Sequence, residues 1–158
     1  MLATLAILAV LLLAAAQFGA LRGRAPADLG VNAGQLKAPS PTPNSVSSQA
    51  ALHPGHPQQA YAAIDPLPAK AGGQQPSMKA LAAVLRQMPG VTVVEERPDY
   101  LRAEATTRWM KFTDDLEFWF NPQRNAVDVR SASRLGRKDF GTNRNRIEAI
   151  RARYQDQP

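Results

Sequence analysis

Asp114, Asp115 and Glu117 precede Arg130 and Arg134 at a spacing that two neighbouring strands would bring together. Leu116, Phe118 and Phe120 alternate with Glu117 and Trp119, and Val127 and Val129 resume the apolar pattern after the turn-like "NPQRN". That period of two marks strands covered on one side. A hairpin turn over 121–126 sets Phe120 opposite Val127, Phe118 opposite Val129 and Glu117 opposite Arg130, because a slip of one residue would turn one strand's apolar face the wrong way. Asp115, Glu117, Trp119, Asp128 and Arg130 then share the second face, with Arg134 in reach of Asp114 or Asp115. Opposite charges across a ladder attract. Two readings follow. The charges fix the register as internal ion pairs, or carboxylates hold the arginines ready to grip an anion, a task that planar guanidinium forks suit.

The chain then turns through "LGRKDFGTN" toward a second helix. Gly136 and Gly141 permit left-handed backbone, and Thr142 or Asn143 is expected to cap the helix. Free N–H groups at such a turn can cradle an anion. Arg130, Arg134 and Arg146 are expected to converge there, with Ser131, Ser133, Asn143, Asn44 and Ser47 as polar lining and Asp114, Asp115, Glu117 and Asp139 as supporting carboxylates. An enzyme reading would use Asp114, Asp115 or Glu117 as general base beside Ser47, Ser131 or Ser133. Acid–base work needs a base placed against its nucleophile, and no spacing here selects such a pair. The folded part also has no histidine, no thiol and no recognised phosphate loop.

Charge points the same way as the arginines. Lys and Arg total 19 against 13 acids, a net charge of +6, and the segment from Arg130 to Arg153 holds eight basic residues and two acids. One segment thus matches the imbalance of the whole chain. Such a patch favours anionic partners, including lipid head groups. Nucleic acid is disfavoured, since few aromatic residues are available to stack bases. With no cysteine, disulfides and thiolate metal sites are excluded. His53 and His56 stand among Pro and Gly without a third ligand, so no metal and no cofactor is expected.

The elements that must hold these residues are legible from periodicity. "PSMKALAAVLRQMPG" puts Met78, Leu81, Leu85 and Met88 on one helical stripe after a Ser that can cap. "VTVVEE" and "YLRAEATT" read as strands joined by "RPD". The last helix starts near Asn143, with Ile147, Ile150 and Tyr154 inward and Arg144, Arg151 and Arg153 outward. The expected fold is α+β, a four-stranded antiparallel sheet with two helices on one face, spanning 76–155. Residues 22–75 have the Pro/Ser-rich composition of a linker, partly docked on the domain from about residue 36. Tyr61, Ile64 and Leu67 are its docking residues.

Residues 1–21 form an apolar run without a charged side chain. The run is long enough for a transmembrane anchor, and a signal peptide cut near Ala14-Ala15-Ala16 is the other reading. Arg22 and Arg24 follow the run, which argues for the domain being cytoplasmic. The α-amino group and the short leading tail tip the balance to a membrane-anchored or exported protein on the extracytoplasmic side.

Three blocks carry a family resemblance: "PTPNSVSSQA" (41–50), "FTDDLEFWF" (112–120) and "VRSASRLGRKDFGTNRNRIEAIR" (129–151). Together they resemble the bacterial and plastid family called domain of unknown function 1499, from about Leu36 to Arg153. The matching positions are Pro43, Asn44, Val46, Ser47 and Ser48, then Asp114, Asp115, Glu117 and Phe118. They continue through Arg130, Ser131, Ser133, Arg134, Gly136, Asp139, Gly141, Asn143 and Arg146. The resemblance implies that 43–48 belongs to the domain, strapped across the sheet near the arginines. Many relatives carry a cysteine pair around the Pro-Asn element, whereas this chain has Ser45 and no cysteine. The resemblance supplies no activity. The expected function is a membrane-associated, non-catalytic binding or accessory module recognising an anionic group, with a hydrolase-like enzyme or a purely structural domain as alternatives.

Overall fold

The computed structural model describes residues 1–157. Its elements are α1 (Leu2–Gln17), β1 (Ser45–Ser47), a 3-10 turn at Ala50–Leu52, α2 (Gln59–Ala62), β2 (Leu67–Pro68) and α3 (Gln74–Gln87). They continue as β3 (Val91–Glu96), β4 (Tyr100–Thr106), β5 (Thr113–Asn121), β6 (Ala126–Ser133) and α4 (Thr142–Gln155). The fold is α+β, and the sheet is antiparallel in the order β1-β6-β5-β4-β3, with β2 also paired to β6.

The alternating pattern builds the centre of that sheet. Phe120 lies opposite Val127, Phe118 opposite Val129 and Glu117 opposite Arg130, the register that matching apolar faces requires. The apolar face lies under α3 and α4. Leu81 and Leu85 from α3 and Ile147, Ile150 and Tyr154 from α4 are buried against Leu116, Phe118, Val127 and Val129. Arg151 is less outward than its helical position suggests, since its guanidinium donates to the carbonyls of Asp65 and Pro66.

The expected four strands and two helices are too few. β1 and β2 come from the stretch of linker composition and add to the outer edge of β6. They pair the N–H and C=O groups that an open edge would leave to solvent or to another chain. Composition misses them because edge pairing is made by backbone atoms, so Ser45, Ser47 and Pro68 need no strand-forming side chain. Helix starts also differ from expectation. Gly73 (φ +80) precedes α3, leaving Pro76 inside the first turn, while the Ser77 hydroxyl donates to the Gly73 carbonyl.

The second face of the sheet is not open. Residues 30–38 cross it: the Gly30 amide donates to Glu117 Oε1 at 2.7 Å, and Arg130 Nε donates to the Ala38 carbonyl at 3.4 Å. Leu36, Tyr100 and Trp119 pack there as a separate apolar cluster. With the strap on one face and the helices on the other, every residue of β5, charged ones included, is buried.

α1 is 16 residues long. At 1.5 Å per residue it measures about 24 Å, short of the roughly 30 Å apolar core of a bilayer. Among the described residues no helix is long and apolar enough to cross a membrane, which corrects the expectation of a transmembrane helix over 1–21. The helix stops because Gly19 adopts φ +88 and its amide bonds back to the Ala16 carbonyl.

Candidate functional site

Side chains alternate across β5 and β6, so the sheet separates residues that look contiguous in sequence. Asp115, Glu117 and Arg130 project to the face under the strap, and Arg134 joins them. Asp114, Ser131 and Ser133 project to the helix side, where Arg146 arrives from α4. The expected convergence of Arg130, Arg134 and Arg146 is therefore corrected: Arg146 is on the other side of the sheet from the first two. The side chains of the three arginines are only 2%, 6% and 13% exposed.

On the strap side Glu117 is fully occupied. Its Oε2 accepts from Arg130 Nη1 at 3.1 Å, and its Oε1 accepts from the Tyr100 hydroxyl at 2.9 Å and from the Gly30 amide. Burial pulls the Arg130 guanidinium below its usual basicity, and the facing Glu117 carboxylate opposes that pull. Burial, then the charge of Glu117, pushes the Tyr100 phenol well above its ordinary range. Beside this pair, Arg134 grips Asp115 with two donors, Nε to Oδ2 at 2.8 Å and Nη2 to Oδ1 at 2.7 Å, and also bonds Glu104. The bonds to Asp115 outweigh burial and raise the basicity of Arg134. Glu104 and Asp115 are direct cross-strand partners. Two acids so placed repel, and Arg134 bridges them while Arg102 lies within 3.9 Å of both, so that two cations face two acids.

On the helix side Asn143 is the hub. Its Oδ1 accepts from the Ser131 hydroxyl and from Arg146 Nη1, and its Nδ2 donates to Ser133 Oγ, Asp139 Oδ2 and the Asn44 carbonyl. Arg146 Nη2 completes the cluster with Asp114 at 2.8 Å. The start of α4 is not an open cradle. Gly141, in left-handed conformation (φ +82), is its N-cap residue rather than Thr142 or Asn143, and the Asp139 carboxylate accepts from the amides of Gly141 and Asn143. An internal acid thus occupies the place expected for an external anion. Asp139 also accepts from the Tyr61 hydroxyl. Burial works to raise the Asp139 pKa, but the bonds from Tyr61, Asn143 and Gly141 prevail and hold it below the ordinary value.

Residues 43–48, expected to be strapped across the sheet, instead run along its edge as β1, and the segment that crosses the charged face is 30–38. Ser47 lies opposite Arg130 across β1 and β6, with its Oγ accepting from the Gln49 amide. Asn44 is buried, donates from Nδ2 to the Gly136 carbonyl and accepts at its own carbonyl from Ser133 N. A third cluster escaped the sequence reading. Asp128 accepts from Ser48, Gln49, Asn121 and Arg124, all within 2.9 Å. Glu104 and Arg102 were missed as well, although carrying the ladder one strand further, from β5 to β4 across the loop 107–112, would have set them beside Asp115 and Glu117.

Chemically, this is a lattice of satisfied charge. The serine hydroxyls of the enzyme reading bond elsewhere, Ser131 to Asn143, Ser133 with Asn143 and Ser47 with the Gln49 amide. Asp114, Asp115 and Glu117 each face an arginine instead of a nucleophile.

An antiparallel sheet covered by helices on one face and by an extended strap on the other, with paired arginines and acids buried beneath both, defines an α+β domain of internally compensated charge. The chain belongs to the family described as Protein of unknown function (DUF1499), whose model matches residues 35–153. Comparison with curated proteins and with solved structures returns no match. The matched span begins within the strap, and the resemblance was right to draw 43–48 into the domain.

Proposed function

We propose that the protein is a membrane-associated, non-catalytic accessory module, held to a bilayer by α1 through its apolar surface. The observation that carries this reading is the state of α1. Leu2, Leu5, Ile7, Leu8, Val10, Leu11 and Leu12 are each more than half exposed, and they are spread around the circumference instead of along one stripe. A helix seam made with a second protein needs a single apolar stripe, whereas an all-round apolar surface matches lipid. At 16 residues α1 enters a bilayer without crossing it.

Anion recognition by Arg130, Arg134 and Arg146 has weaker support, because any ligand must displace carboxylates already at 2.7–3.1 Å. These arginines serve the fold. The hydrolase reading lacks a base beside a nucleophile.

The test is flotation of the full chain with neutral phosphatidylcholine vesicles, compared with Leu8→Asp/Leu11→Asp. The wild type is expected to float and the double variant to remain behind. A wild type that stays with the soluble fraction overturns the reading.

A further inference from the structure

Two cavities meet at the C-terminal end of α1 and share Arg108 and Lys111 as a common wall. One, of about 570 Å³, is apolar and runs over Val10, Leu13 and Ala14 of the helix beside Trp109. The other, of about 710 Å³, lies between Arg22, the start of β3 and the β4–β5 loop, and adds Thr106 and Thr107 to its lining. Each falls in the roughly 300–1,000 Å³ range of small-molecule sites.

The charges of the second cavity are unbalanced. Arg22, Arg108 and Lys111 take part in no salt bridge among the described residues, while every arginine of the buried lattice does. The acid in the lining, Glu104, is already held by Arg134. Uncompensated cations in a concave site concentrate anions. The place is fixed to the helix: Gln17 Nε2 donates to the Trp109 carbonyl at 2.8 Å, and Ala16 is fully buried. Trp109 itself is 65% exposed, with the Arg108 guanidinium 5.0 Å from its ring centroid. An exposed tryptophan flanked by cations at the end of an apolar helix fits the interface between lipid tails and head groups.

An apolar slot bordering a cationic pocket is complementary to an amphiphile with a negative head. We propose that the adjoining cavities together hold one anionic phospholipid. Its phosphate sits among Arg22, Arg108 and Lys111, and an acyl chain lies along Val10, Leu13 and Ala14 beside the Trp109 ring. This assignment rests on the membrane reading of α1 and names the lipid class it selects.

The experiment is binding of the full chain to phosphatidylcholine vesicles with and without phosphatidylglycerol, read by flotation and by tryptophan emission. Trp119 is buried, so a blue shift on binding reports Trp109. Phosphatidylglycerol is expected to tighten binding roughly tenfold, in line with basic side chains at an anionic surface. Arg108→Gln/Lys111→Gln is expected to remove that gain and leave neutral-vesicle binding unchanged. Lys79→Gln/Arg153→Gln, an equal loss of charge at exposed positions elsewhere, is expected to keep it.

Neutral binding without a phosphatidylglycerol gain overturns the lipid site and leaves the membrane reading standing. A gain that survives Arg108→Gln/Lys111→Gln, or is lost equally in the control, overturns the assignment to these cavities. Inorganic phosphate that reproduces the blue shift without vesicles overturns the lipid in favour of a small anion. Binding to neither vesicle overturns both readings.

Discussion

Glu117 and Arg130 face each other across β5 and β6 with both side chains sealed from solvent and Nη1 3.1 Å from Oε2. The pair is the centre of the strap side, because the same carboxylate also receives Tyr100 from β4 and Gly30 from the strap. One acid thus fastens three separate stretches of chain.

Removing the charge from that acid alone should therefore be costly. Glu117→Gln keeps the volume and an acceptor but leaves Arg130 buried without a counter-charge, a situation that costs about 3–5 kcal/mol. Urea unfolding is the measurement. Glu117→Gln/Arg130→Met is expected to recover much of the loss, since the stranded charge is gone. A single variant within about 0.5 kcal/mol of wild type, the ordinary range for surface changes, would mean that water reaches the pair.

Arg134 gives a second expectation, with geometry as the variable. Arg134→Ala leaves Glu104 and Asp115 opposed across β4 and β5 with only the more distant Arg102, 3.8–3.9 Å away, between them. Thermal unfolding of the full chain is expected to show a midpoint lower by several degrees, corresponding to a few kcal/mol for a broken, largely buried pair. Arg134→Lys is expected to restore only part, because an ammonium lacks the fork that meets both oxygens of Asp115. Full rescue by lysine would show that charge alone matters there. An unchanged midpoint in Arg134→Ala would show that the arginine does not stabilise the fold, and would reopen its candidacy as a ligand site.

The hairpin register was legible because alternation of Leu116, Phe118, Phe120, Val127 and Val129 allows one pairing only. Glu117 opposite Arg130 came with it. The helix face was legible for the same reason, through the spacing of Leu81, Leu85, Ile147 and Ile150. The strap was not, since residues 30–38 act through backbone amides and carbonyls that carry no side-chain signature. Its presence changes the meaning of the charged face from an exposed site to an interior lattice. The split of Arg146 from Arg130 and Arg134 was implicit in the period of two, which already sends Asp114 and Asp115 to opposite faces. Family resemblance drew residues 43–48, which carry β1, into the domain where composition pointed to linker, because its motif records positions that composition averages away.

Asp139 ties the start of α4 to Tyr61 of α2, and it makes stability depend on acid. Its folded pKa lies below the ordinary 3.8, held there against burial by the bonds from Tyr61, Asn143 and Gly141. A carboxylate with a depressed folded pKa favours the folded state in full above its unfolded value. That contribution shrinks as pH falls through the unfolded value and is gone below the folded one. Asp139→Asn is therefore expected to lower the midpoint at pH 7 by an amount corresponding to a lost helix cap, about 0.5–2 kcal/mol. The difference from wild type should narrow steadily as the pH is taken below about 4. Tyr61→Phe removes one of the bonds that depress the carboxyl, so its melting curve should show a smaller acid-dependent part than wild type. Melting temperatures of the three proteins between pH 7 and pH 3 decide the matter. A gap between wild type and Asp139→Asn that stays constant across that range would show that the hydrogen-bonding shape of the side chain, and not its charge, holds the helix start.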